Sequence, residues 1–231
     1  MKRDFFLELI KKANQEGREF LFEYESKALL KAYEIPTTNF FFIKNESELG
    51  AVIKEIRYPC VAKIVSRQAI HKSDIGGVIL GIRNENELIS SLEKISKIAE
   101  SKAIKLEGYL IEEQAKQGIE IIVGMIKDRV FGNVLMFGLG GIYTEAFKDV
   151  NFLILPASKK DYMNLIMNTK IGKIISNSRG KTIAVDAILQ ILTKVSELIE
   201  ENPEVIEMDL NPIVVNEDSA KVLDARIRFR T

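Results

Sequence analysis

Hydrophobic positions change period several times along this chain. From Phe5 through Leu9 and Ile10 to Ala13 they recur at helical spacing and stop at Gly17, which predicts an opening helix. A second helix is expected over 26–33, before Pro36 breaks the pattern. Asn39-Phe40-Phe41-Phe42-Ile43 is aromatic and β-branched, hence a strand. Asn45 and Glu48 have capping-box spacing and predict a helix over 46–57, ended by Pro59. Strands over 60–65 and 78–83 follow, separated by the polar, glycine-containing segment 66–77. Asn84 and Glu87 repeat the capping spacing ahead of Leu88, Leu92, Ile95 and Ile98, giving a helix to about 102. Short strands over 109–111, 119–125, 134–137 and 152–155, a long helix over 181–201 and a closing strand pair over 206–215 and 221–229 complete the pattern.

Helices and strands alternate irregularly, and the later strands are close enough in sequence to pair antiparallel, which favours an α+β fold over a doubly wound parallel sheet. There is no internal repeat, low-complexity tract or Ser/Pro/Gly linker. The expected arrangement is one domain over 1–231 made of two lobes around a cleft, with the junction near 112–118.

Composition narrows the chemistry. The 231 residues carry 33 basic and 33 acidic side chains, so the chain lacks the one-sided positive field that binding a nucleic-acid backbone requires. A charge stands beside every short apolar stretch near the start, and neither a signal peptide nor a membrane span can be drawn; the expectation is a cytoplasmic protein without membrane contact. Cys60 is the single cysteine, lies in the apolar run Cys60-Val61-Ala62, and is expected to be buried and inert.

Several residues stand out against this background. The cluster Gly138-Leu139-Gly140-Gly141 follows an apolar strand, where main-chain N–H groups can face phosphate oxygens or simply turn the chain; the dinucleotide and P-loop spacings are absent. Gly76-Gly77 opens a strand, as a phosphate-covering hairpin or any tight turn would require. Lys63 interrupts a buried strand, so it is paired, meets an anion, or snorkels out. His71, the only histidine, lies in the polar segment with Asp74 close by; a neutral imidazole can attack phosphorus and a carboxylate can orient the ring, although a solvated loop histidine is the plainer reading.

Strand alternation puts Glu207, Asp209 and Asn211 on one face, with Asp224 on the next strand, a hard-oxygen set suited to Mg²⁺ or else a solvated strand face. Glu112-Glu113-Gln114 and Glu120 fall at the lobe junction, where a linker can offer main-chain groups to a base and a carboxylate to ribose, or form a solvated hinge.

Taken in order, Tyr58-Pro59-Cys60-Val61-Ala62-Lys63, His71-Lys72-Ser73-Asp74-Ile75-Gly76-Gly77-Val78, Gly138-Leu139-Gly140-Gly141-Ile142, Lys148-Asp149-Val150, Asp209-Leu210-Asn211-Pro212 and Asp224-Ala225-Arg226 resemble the ATP-grasp β subunit of ADP-forming acetyl-CoA synthetase, as does the earlier Tyr33-Glu34-Ile35-Pro36. The resemblance implies an ATP-grasp fold in which two antiparallel sheets enclose a nucleotide cleft. The smaller lobe would cover about 20–112, and the larger about 113–231 with the N-terminal helix. It implies that Lys63 touches ATP phosphates, Gly76 and Gly77 cover them, Gly140 and Gly141 join the nucleotide site, and Glu113 and Glu120 lie near adenine and ribose. Asn211 and Asp224, with Asp209, would hold Mg²⁺.

It also implies that His71, assisted by Asp74, carries phosphate between a CoA-binding α subunit and ADP/ATP in an α2β2 assembly. The net reaction would convert acetyl-CoA, ADP and phosphate reversibly to acetate, CoA and ATP. The slack of segment 66–77 suits such a carrier. Two departures from the family pattern are Glu34, where Gly is usual, and Leu153, near a usual Arg. The competing readings are a non-catalytic nucleotide-binding regulatory subunit and a free-standing ATP-grasp carboxylate ligase.

Overall fold

The computed structural model describes residues 2–69, 71–141, 149–177, 185–217 and 219–230, with the backbone alone at 176 and 177. The chain divides into two compact units, Met1–Thr37 with Lys116–Thr231, and Thr38–Ala115.

The larger unit opens with α1 (Lys2–Gln15), β1 (Phe20–Leu21) and α2 (Glu23–Ala32). Residues 20–37, expected in the smaller lobe, belong here because β1 pairs with the C-terminal strand, Phe20 opposite Arg228. The fully buried Arg18 guanidinium fixes this corner: it donates to the Glu25 carboxylate at 2.9 Å and to the Phe20 carbonyl at 2.7 Å, and lies over the Phe22 ring. Glu25 in turn accepts from the Phe22 N–H at 2.9 Å, which starts α2 ahead of the expected position.

The smaller unit contains β2 (Phe40–Ile43), α3 (Leu49–Val52), β3 (Cys60–Val65), β4 (Val78–Ile82), α4 (Glu85–Ser101) and β5 (Gly108–Glu113). Its antiparallel sheet runs β2-β5-β3-β4. One face, with Ile43, Cys60, Ala62, Ile64, Tyr109 and Ile111, buries against Leu88, Leu92, Ile95 and Ala99 of α4. The expected cap is present: Asn84 accepts from the Glu87 N–H at 3.0 Å, and Glu87 accepts from the Arg83 N–H at 2.8 Å. The helix expected over 46–57 shrinks to one 3₁₀ turn and the four residues of α3, although the Asn45 cap forms. Gly50 and the β-branched pair Val52-Ile53 weaken helix propagation there.

The chain then returns to the larger unit through β6 (Ile119–Asp128), β7 (Gly132–Leu139), β8 (Val150–Ile154), α5 (Lys159–Met167), α6 (Lys170–Asn177), α7 (Val185–Glu201), β9 (Val205–Val215), β10 (Ala220–Val222) and β11 (Ala225–Phe229). The sheet order is β1-β11-β9-β6-β7-β8, with β10 paired to β9, and its pairings are antiparallel. Ile121, Val123, Met125, Leu135, Phe137, Met208, Leu210 and Ile213 on one face share a core with buried residues of α1, α2, α5, α6 and α7. Helices α5 and α6 were not anticipated; Ser158 and Asp161 form a capping box that the pattern Tyr162, Leu165, Ile166 follows. The single strand expected over 221–229 is two strands, because β10 folds back on Ile213–Val215 and leaves Asp224 at the break before β11. Positions 181–184 of the expected long helix lie outside the described residues.

Candidate functional site

In the smaller unit, register decides which groups meet. Val61 stands opposite Glu112 and Lys63 opposite Leu110, so Lys63 and Glu112 share the sheet face turned away from α4. Lys63 Nζ lies 2.6 Å from Glu112 Oε1, and Thr38 Oγ1 donates to Glu112 Oε2 at 2.5 Å. Only 6% of Lys63 and 4% of Glu112 is exposed, so this cation is paired rather than snorkelling; each ion offsets the other's desolvation. Glu113 stands opposite Cys60, projects to the other face and accepts from Asn39 Nδ2 at 3.2 Å. Thr38 was not singled out from sequence, and Glu112 only as part of the run Glu112-Glu113-Gln114, since adjacent glutamates can be told apart only by strand pairing.

The segment between β3 and β4 is held at two points. Ala69 is buried in the small core and Ile75 packs against it, while His71, Ser73 and Asp74 between them are exposed. No hydrogen bond joins Asp74 to the His71 ring in this conformation. The chain path itself demands both glycines that follow. Gly76 has φ +76°, and a Cβ on Gly77 would sit 2.5 Å from Ile64 Cγ2. Gly76 N–H donates to the Ser73 carbonyl at 3.0 Å and Gly77 N–H to the Lys72 carbonyl at 2.8 Å.

The larger unit carries a second set on the sheet face opposite its helices. Core positions of β6 and β9 alternate with Glu120, Glu207, Asp209 and Asn211, which therefore share that face. Gly140 N–H donates to the Glu120 carbonyl at 2.9 Å and Gly141 N–H to Asn211 Oδ1 at 3.0 Å, so the glycine turn folds onto the end of β6. Gly141 has φ +68°, and a Cβ there would collide with the Glu120 carboxylate. Ile142 and Lys148, with the rest of 142–148, lie outside the described residues.

Asp149 caps α6: its two carboxylate oxygens accept from the Lys170 and Ile171 N–H groups, each at 2.9 Å. Leu153 packs against the large core. Glu34 takes φ +60° and pairs with Lys194 at 3.0 Å.

Burial and the neighbouring Asp224 charge push the Asp209 carboxyl up to about 6, against the pull of Arg226. Glu207 is engaged by Arg228 at 2.9 Å. Among the described residues, no three His, Cys, Asp or Glu side chains gather as a closed metal cage. Two carboxylates and one amide oxygen form the open donor set that suits Mg²⁺, an ion that retains water and phosphate oxygens among its ligands. The desolvated Asp209 beside a like charge fits a cation there. Cys60 is buried, which pushes its thiol up to about 11, as expected of an inert cysteine. Among the described residues, no helix is long and apolar enough to cross a membrane.

The ATP-grasp domain family profile matches residues 12–229. The chain is 44% identical over 223 residues to the acetate–CoA ligase (ADP-forming) I subunit beta of Pyrococcus furiosus, covering 95% of this chain and 96% of that one. It is 40% identical to the acetate–CoA ligase (ADP-forming) II of Archaeoglobus fulgidus, where the match takes in 90% of this chain but 30% of the relative. Among solved structures it resembles the Ca. Korarchaeum cryptofilum acetyl-coenzyme A synthetase 1 complex with coenzyme A and Mg-AMPPCP, whose phosphohistidine segment points towards the nucleotide binding site. The TM-score is 0.84, with 37% identity and 100% of both chains covered.

Proposed function

The chain belongs to the ATP-grasp domain family, and from that premise we propose that it is the nucleotide-binding β subunit of an ADP-forming acetate–CoA ligase, with His71 as its phosphate carrier. A separate α subunit supplies the CoA chemistry; the longer Archaeoglobus fulgidus relative, of which this chain matches only 30%, supports a neighbour of that kind. We assign an α2β2 assembly and a cytoplasmic location to the complex. The overall reaction takes acetyl-CoA, ADP and phosphate to acetate, CoA and ATP, and runs in both directions.

The observation that carries this reading is the solitary, exposed His71 on a segment anchored by Ala69 and Ile75. In the ATP-consuming direction, a lone pair on one ring nitrogen forms the N–P bond while the bond from the terminal phosphorus to the β–γ bridging oxygen breaks. The electron pair of that bond stays on ADP, and the proton on the other ring nitrogen remains in place. Reversal makes ATP from phosphohistidine. Such a transfer requires positioning and charge neutralisation more than covalent chemistry.

Lys63 is assigned to the nucleotide phosphates, for which Glu112 holds its place when no nucleotide is bound. Gly76, Gly77, Gly140 and Gly141 let main chain approach the phosphates. Glu113, whose side chain projects away from the Lys63 face, offers main-chain groups to adenine, Glu120 offers its carboxylate to ribose, and Asp74 orients the His71 ring once the segment moves. Asp209, Asn211 and Asp224 would hold Mg²⁺, whose chemistry when bound is to neutralise phosphate charge.

The test is isotope exchange. The isolated chain with Mg²⁺ should exchange label between ADP and ATP, and His71→Ala should not, because exchange requires a phosphorylated protein. Exchange that persists in His71→Ala, or its absence from the wild type even with the α subunit present, overturns the reading.

A further inference from the structure

One cation on the acidic face of the larger unit has no assigned task. Arg226 lies on β11 directly opposite Asp209 of β9, so the two side chains share a sheet face, and it is half-buried. Its charge is felt by Asp209, yet no hydrogen bond or contact ion pair joins the guanidinium to any described residue. Other arginines of the larger unit differ. Arg228, on the same strand and face, engages Glu207 at 2.9 Å; elsewhere in the unit Arg3 engages Glu204 at 2.6 Å and Arg18 engages Glu25 at 2.9 Å.

A half-buried guanidinium with five uncommitted donors is a costly arrangement without an anion, and its planar fork matches two phosphate oxygens at once. Two positions along the strand, about 7 Å at the ordinary rise, separate Arg226 from Asp224. A phosphoryl group bound to a cation at Asp209, Asn211 and Asp224 therefore falls within reach of this side chain.

We propose that Arg226 binds the terminal phosphoryl group of ATP and steadies it during transfer to His71. This rests on the nucleotide-binding function inferred above. The alternative is that Arg226 serves only as a counter-charge to Asp209, and nucleotide length separates the two. A contact at the terminal phosphoryl group is made by ATP and absent in ADP, whereas a structural counter-charge influences both alike.

The experiment measures the Mg²⁺-dependent affinity of the whole chain for AMPPCP and for ADP, and single-turnover labelling of His71 from ATP, in wild type, Arg226→Gln and Arg226→Lys. The expected result in Arg226→Gln is about a tenfold loss of AMPPCP affinity with ADP within about twofold, the range for one charge-assisted hydrogen-bonding group. Labelling should slow about 100-fold or more, as when a single anion-stabilising donor is removed. Arg226→Lys, which keeps the charge and protects against a folding artefact, should recover part of both. Equal losses for the two nucleotides, or no change in either affinity or labelling, overturns the inference. If wild type binds both nucleotides and Arg226→Gln is indistinguishable from it, only this inference falls; if wild type binds neither, the functional reading falls with it.

Discussion

The two groups of candidate residues are built in opposite ways. In the larger unit Asp209, Asn211 and Arg226 stand on paired strands, and Asn211 is tied to the glycine turn through Gly141, so their positions follow from register and main-chain hydrogen bonding. In the smaller unit His71 and Asp74 stand on a short segment held by Ala69 and Ile75, with no hydrogen bond fixing the ring. The contrast teaches a division of labour: groups that must hold charge in place are set on rigid elements, and the group that must carry phosphate is set on a segment that apolar contacts can release.

Substitutions can break or sharpen this contrast. The largest effect on stability is expected at the rigid pair of the smaller unit. Glu112→Ala leaves Lys63 buried without its carboxylate and should cost about 3–5 kcal/mol, measured by denaturant unfolding. In the larger unit, rigidity holds two carboxylates together at a cost. The folded chain holds the Asp209 proton more tightly than the unfolded chain does, so this group's contribution to the stability of the metal-free protein is full below the ordinary carboxylate range and is lost as pH rises through about 6. Asp209→Asn should remove that loss, stabilising the metal-free chain at pH 7 by roughly 1–3 kcal/mol, while abolishing the Mg²⁺-dependent gain in melting temperature.

A smaller effect tests the releasable segment. Ile75→Ala should weaken its anchoring by about 1–2 kcal/mol, read as faster amide exchange over 69–77 with protection of β3 unchanged. The smallest is Glu34→Gly. Glycine relieves the left-handed backbone at this position but forfeits only an exposed pair with Lys194, so a small net rise in melting temperature is expected in thermal unfolding.

Much of this was legible before any coordinates. A short apolar run located β3, alternation over 207–211 marked β9, the Asn84 cap and its apolar repeat located α4, and the order of motifs placed His71 between strands with its glycines after it. What escaped has physical causes. The helix over 46–57 was overread because a good cap at Asn45 does not compensate for Gly50 and β-branched neighbours. Helices α5 and α6 were missed because polar residues interrupt their apolar stripe, and because α6 draws its cap from Asp149, far away in sequence. The part played by Glu112 rather than Glu113 beside Lys63, and the uncommitted state of Arg226, depend on which residues face each other across strands, a property of pairing and not of one segment.

The most direct test of the phosphate-carrier role is to incubate the chain with Mg²⁺ and terminally labelled ATP and map the phosphorylated residue by mass spectrometry under alkaline conditions. The account predicts an acid-labile, base-stable phosphate on His71 that disappears in His71→Ala. A label on any other residue, or one that survives acid, contradicts it.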